Sequence, residues 1–180
     1  MSRKKFLAIV DPWEHGPISL EANFPMLTSD SNIQYELIHN QLPRLKPLFD
    51  DIIVISSGGP VRSIFDELPI VEDIIETGYL EDKQDWDMWL CGFHYGRCIQ
   101  GKIGDVVKHY GWDYSRFHII ENLSFMFPGD AKRIFYKQDW IIDMAKNVKV
   151  YDWDYVDEFQ LCGTNAIYVW ELDAGKFKFS

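Results

Sequence analysis

MWLCGFHYGRCIQGKIGDVVKHYG, residues 88–111, is the stretch whose reading decides the architecture. Its opening, Met88–Gly92, is a short apolar run that halts at glycine, the pattern of a buried strand. The period then changes. Ile99, Ile103, Val106, Val107 and Tyr110 fall on one face of a helix spanning Gly96–Tyr110, and Gly111 supplies a stop signal. A strand that feeds a helix through the short loop Gly92–Cys98 is half of a β-α-β unit.

The same alternation repeats on both sides of this stretch. Phe6–Asp11, Ile52–Ser56 and Phe117–Glu121 are apolar runs of strand length that end in polar residues. Asp73–Leu80 is read as a further strand, and Val148–Tyr151 as a sixth. Between them, Ile33, Leu37, Ile38, Leu42, Leu45 and Leu48 define a helix over Ile33–Phe49, which Pro43 should kink or break. Ala131–Ala145 carries Ile134, Phe135, Ile141, Ile142 and Ala145 at helical spacing after the start signals Pro128 and Asp130. Buried strands alternating with such helices predict a Rossmann-like three-layer α/β/α fold with a six-stranded parallel sheet. The expected order is 3-2-1-4-5-6, which makes the first and fourth strands neighbours. Ile167–Phe179 is different, with two β-rich runs around Asp173-Ala174-Gly175. It is expected to be an antiparallel hairpin appended to the main sheet, so that 160–180 is a β extension of one domain covering 1–180.

Composition narrows the function. A chain of 180 residues with 47% hydrophobic and 16% aromatic residues has material for a sizeable core. Its net charge of −10 argues against nucleic acid and anionic membranes as partners, because both require concentrated Lys and Arg. There is no apolar run near membrane-spanning length, and Phe6–Val10 is too short for a signal-peptide core. The three cysteines, Cys91, Cys98 and Cys162, lack metal spacing and suit a reducing cytoplasm. The five histidines show no paired spacing, so neither a metal nor another cofactor is expected. The expected partner is a small-molecule substrate, and self-association into a homo-oligomer is compatible with the composition.

In an open α/β sheet, ligands bind beyond the carboxyl ends of the strands, where the strand order reverses. Asp11 closes the first strand, and Cys98 follows the fourth at the start of a helix. The helix N-terminus would favour a thiolate at Cys98, and Asp11 would accept the thiol proton as a general base. The alternative for Cys98 is a small buried hydrophobe, as for most free cysteines. Trp13 and His15 would line the same crevice, and His94 and Arg97 flank the thiol.

Leu90-Cys91-Gly92-Phe93-His94-Tyr95-Gly96-Arg97-Cys98-Ile99 resembles the strand-to-nucleophile loop of isochorismatase-like cysteine hydrolases, the superfamily that includes nicotinamidases. Leu7-Ala8-Ile9-Val10-Asp11 is similar to the family's first strand with its terminal Asp. The resemblance implies Cys98 as nucleophile, Asp11 as base, and a cis peptide bond at Phe93–His94. It also implies an oxyanion hole from the amide N–H groups of His94 and Cys98; from their positions in the chain, Trp13, His15 and Arg97 are expected to contact the substrate. The implied reaction is hydrolysis of a small amide or a related C–N or enol-ether bond. The family's third catalytic residue, a Lys at the end of the third strand, is not found: Glu76 or Thr77 stands there, with Lys83 nearby. Lys83 and Arg97 are the candidate replacement cations. Where nicotinamidases bind metal, this chain reads Ser56-Ser57-Gly58-Gly59-Pro60.

Two other functions stay open. A fold that has lost its Lys would serve as a binding or subunit-interaction module. A haloacid dehalogenase-type phosphatase would also use a first-strand Asp and a second-strand Ser, but it places Trp13 where an acid/base Asp belongs and offers only Glu121 toward Mg²⁺.

Overall fold

The structure is a computed structural model that describes residues 2–14, 30–125, 143–144, 146–153, 159–161, 168–171 and 176–179. Strand β1 (Lys5–Val10) is central and is flanked in parallel by β2 (Asp51–Ile55) and β4 (Asp87–Phe93). Outward from these lie β3 (Ile70–Val71) beside β2, and β5 (Phe117–Phe125) then β6 (Lys149–Asp152) beyond β4. The short β7 (Gln160–Leu161) closes the edge antiparallel to β6, so the sheet runs β3-β2-β1-β4-β5-β6-β7. The predicted parallel order is therefore present, and β1 and β4 are neighbours.

Strand alternation splits the apolar residues between the two faces. Leu7 and Ile9 of β1 pack with Tyr35, Ile38, Leu42 and Leu45 of helix α1 (Asp30–Leu45). Phe6, Ala8 and Val10 pack with Ile99, Ile103 and Val106 of helix α2 (Cys98–Tyr110) on the other face. α2 ends as expected, at Gly111 in the left-handed conformation with φ 68°. α1 differs from expectation: it runs through Pro43 and ends two residues later at Leu45. The missing amide falls in the last turn, where the buried Leu42 and Leu45 hold the segment in place.

The third strand also differs. It is Ile70–Val71, not Asp73–Leu80. The Asp73 carboxylate accepts from the amides of Ile75 and Glu76 at 2.7 and 2.9 Å, and the Thr77 amide donates to the Asp73 carbonyl at 3.2 Å. This local capping winds the segment into turns and diverts it from the ladder. The position at the end of the third strand accordingly belongs to Glu72 and Asp73, not to Glu76 or Thr77. At the C-terminus, β8 (Tyr168–Glu171) and β9 (Lys176–Phe179) form the expected antiparallel hairpin, but as a two-stranded sheet of their own rather than as an appendage of the main one. Most of the predicted helix Ala131–Ala145 lies outside the described residues, although Met144 is helical and packs on the α2 face.

Candidate active site

Two strand ends build the site. Asp11 follows β1 in a left-handed conformation, φ 47°, that few non-glycine residues adopt. Three main-chain contacts fix it there. Its amide donates to the Ile55 carbonyl at 2.7 Å, and its carbonyl accepts from the Trp13 amide at 2.8 Å and the Tyr35 hydroxyl at 2.9 Å. On the next strand, Gly92 pairs with Val10 and has φ 103°, and a Cβ there would stand 2.5 Å from the Val10 carbonyl oxygen. Only glycine allows this close approach. The register with β5 shifts at the same place, between Leu90 and Gly92. The chain then leaves the sheet through a cis peptide at Phe93–His94 and enters α2 at Cys98.

These constraints bring Cys98 beside Asp11, close enough for the thiol and the carboxylate to act on each other's ionisation. The carboxylate is 1% exposed, and its Oδ1 also accepts from the amide and the hydroxyl of Ser57 at 3.1 and 3.3 Å. Burial raises the Asp11 pKa above the ordinary carboxylate value. The Ser57 amide, the positive charge of Lys102, the Cys98 thiol and the Ser57 hydroxyl each pull it back. For Cys98, burial and then the charge of Asp11 push the thiol up to about 11, while a backbone hydrogen bond from His94 and the charge of Lys102 oppose them. The expectation that a helix terminus would leave a thiolate here is therefore corrected. At neutral pH Cys98 is held as the thiol, because desolvation and the charge of Asp11 outweigh the helix dipole.

The other sequence candidates divide. His94 is 2% exposed, and its backbone lies on the Cys98 sulfur. Trp13 is buried, edge-on to Phe93 at 6.3 Å, with its indole N–H on the Ser56 hydroxyl at 3.1 Å. It packs over Gly59, where a Cβ would come within 2.7 Å of the indole ring. Arg97 precedes α2 and is exposed. His15 lies outside the described residues. Lys83 belongs elsewhere: its ammonium is bound to Asp82 at 2.7 Å and the Tyr79 carbonyl at 3.2 Å, over the Tyr79 ring. Three contributors escaped the sequence reading. They are Ser57, Tyr35 and Lys102, and for Lys102 the signal was present, because it stands one helical turn after Cys98.

Beside the pair, a cleft of about 520 Å³ is lined by Ser56, Ser57, Gly58, Asp66, Glu72 and Asp73, with others. Ser57 lines this cleft and also donates to the Asp11 carboxylate, while Asp11 and Cys98 themselves are not part of its lining. Among the described residues, no group of three or more His, Cys, Asp and Glu is placed to hold a metal ion. Among the described residues, no helix is long and apolar enough to cross a membrane.

No protein-family model matches the chain, and neither does any curated protein. Among solved structures it is similar to the pyrazinamidase of Pyrococcus horikoshii in complex with zinc, at 12% identity and a TM-score of 0.53. The match covers 83% of this chain and 99% of that one. At such identity the likeness speaks to architecture alone. The chain shares its α/β fold with that pyrazinamidase.

Proposed function

We propose that the protein is a cysteine hydrolase acting on a small amide, or a related C–N or enol-ether compound, with Cys98 as nucleophile and Asp11 as its base. One observation carries this reading: the Cys98 thiol at the start of α2 and the buried Asp11 carboxylate at the end of the neighbouring strand stand close enough to act on each other's ionisation. The solved structure it resembles is named for an amidase activity, which agrees with the substrate class.

In the proposed reaction on an amide, the Cys98 sulfur attacks the carbonyl carbon as the thiol proton passes to Asp11. The new S–C bond displaces a π electron pair onto the carbonyl oxygen. The amide N–H groups of His94 and Cys98 are the proposed donors to that oxygen, and the Cys98 amide sits at a helix start, where no intrahelical acceptor exists. Collapse breaks the C–N bond, and the nitrogen leaves with the proton from Asp11. The resulting thioester is hydrolysed by a water that gives its proton to Asp11. The carboxylic acid departs, and the proton returns to sulfur. A thiol with a pKa near 11 suits this sequence, because attack and deprotonation by the carboxylate are then concerted.

Ammonia release from a panel of small primary amides tests the reading. Turnover is expected in the wild-type protein, with a drop of about 10³-fold or more in Asp11→Asn. A covalent acyl adduct on Cys98 should be trapped by acid quench and mass spectrometry. No turnover and no adduct would favour the binding-module alternative.

A further inference from the structure

The proposed site has an anion and a thiol but no cation from the third strand, whose end carries Glu72 and Asp73. We infer that Lys102 supplies that cation from the nucleophile's own helix, as a positioning residue that acts on the Cys98–Asp11 pair. This inference rests on the hydrolase reading and assigns a further residue to the same site.

Geometry comes first. Cys98 opens α2, and Lys102 lies one turn along, on the same stripe of the helix. Helical Cα–Cβ bonds tilt toward the N-terminus, so the Lys102 side chain is directed back toward Cys98 and the strand ends. The adjacent stripe, Ile99, Ile103 and Val106, is buried against the sheet and fixes the rotation of the helix. Lys102 itself is half-buried, which weakens solvent screening of its charge. Its charge bears on three groups from three different elements: Asp11 after β1, Cys98 on α2 and Asp73 after β3. A single cation thus stands among the ends of these elements and offsets the repulsion between Asp11 and a developing thiolate. Lys83, the nearest Lys in sequence to the third strand, is committed to Asp82 and Tyr79. Among the described residues, Tyr35 from α1 with Arg62 over its ring, His94, and Arg97 ahead of the helix are further charged or titratable groups near the pair.

The test is the alkylation rate of Cys98 by iodoacetamide between pH 8.0 and 9.5, read by peptide mass spectrometry on the full chain. Every variant keeps Asp11, Tyr35, Asp73, His94 and Arg97, so their ionisation cancels in the comparison. Below the thiol's midpoint the rate follows the thiolate fraction, so a one-unit rise in pKa appears as a tenfold loss. Lys102→Met is expected to slow Cys98 by about tenfold, and Lys102→Arg to stay within about threefold of wild type. Lys108→Met, on the exposed side of the same helix, should leave the rate unchanged and so controls for net charge. A second reagent separates charge from packing: the ratio of iodoacetate to iodoacetamide rates should fall in Lys102→Met, because the anionic reagent loses a local cation. Equal rates and an equal reagent ratio in Lys102→Met and wild type would overturn the assignment of Lys102 and leave the nucleophile reading standing. A Cys98 that takes up no reagent in the wild-type protein would overturn both.

Discussion

Cys91 and Cys98 come from one strand-loop-helix segment, and the structure gives them opposite circumstances. Cys91 lies inside β4, pairs with Ile9 and is fully buried among apolar side chains of the α1 face. Burial alone acts on its thiol and pushes it far up. Cys98 is also raised by burial first, but a carboxylate, a backbone amide and an ammonium then act on it. Desolvation makes both thiols poor thiolates. What differs is that Cys98 has a carboxylate and an ammonium among the groups that act on it, whereas Cys91 has neither. The contrast teaches that the neighbours, not helix position or exposure, distinguish the two thiols.

The largest break of this comparison is removal of each sulfur in turn. Cys98→Ala should lower amide turnover by about 10³-fold or more while leaving the melting temperature nearly unchanged. Cys91→Ala should do the reverse, costing about 1–2 kcal/mol of stability for the small cavity and leaving kcat within about twofold. Parallel kinetics and thermal melts check both. Equal losses of turnover in the two variants would remove the distinction.

Gly92 separates the two cysteines structurally and is the next target. An added Cβ would meet the Val10 backbone oxygen at 2.5 Å at a residue with φ 103°. Both effects act on backbone, which has no side chain that can yield. Gly92→Ala is expected to cost about 3 kcal/mol in denaturant melts and to reduce turnover further by displacing Cys98 from Asp11. A stable variant with wild-type turnover would show that the β1–β4 contact does not set the site.

The third prediction concerns resting reactivity. A thiol raised to about 11 has roughly one-hundredth of the thiolate of an ordinary cysteine at pH 7. Cys98 should therefore alkylate about 100-fold more slowly than free cysteine, and Cys91 should not label until the protein unfolds. Asp11→Asn removes the like charge, so it should speed Cys98 alkylation even as turnover is lost. A slower Cys98 in that variant would mean that Asp11 drives ionisation instead of opposing it.

Most of what sets this contrast was legible in the chain. The switch of period at Gly92 marks a strand giving way to a helix, and the apolar runs ending at Asp11 and Ser56 mark the neighbouring strands. The third strand was misplaced because the run after Val71 has strand-like composition, while Asp73 caps its own following amides. Local side-chain capping overrides composition there. The sign of the Cys98 shift was hidden for another reason: burial and distance to Asp11 are tertiary quantities. Lys102 was overlooked because the expected place for the cation was a strand, whereas on the helix its spacing from Cys98 carries the signal. Ser57 and Tyr35 reach Asp11 from other elements, and no local pattern announces such contacts.

The smallest expected effect isolates one of those contacts. Oδ1 of Asp11 accepts from the Ser57 amide at 3.1 Å and, over a longer 3.3 Å, from the Ser57 hydroxyl. The amide is the larger influence on the carboxyl and survives mutation. Ser57→Ala therefore removes the weaker of two donors and leaves the buried carboxylate less well satisfied. The Asp11 pKa is already raised by burial, and the hydroxyl lowers it, so its loss raises the value further. In the proposed reaction Asp11 acts as the ionised base. The acid limb of the kcat/KM profile, which should already lie above the ordinary carboxylate value, is thus expected to move to higher pH. The alkaline limb, set by the Cys98 thiol near 11, should stay in place. Plateau turnover should fall only about two- to threefold, in keeping with one long hydrogen bond. An acid limb that moved down, or an alkaline limb that moved with it, would mean that Ser57 serves the thiol rather than the carboxylate.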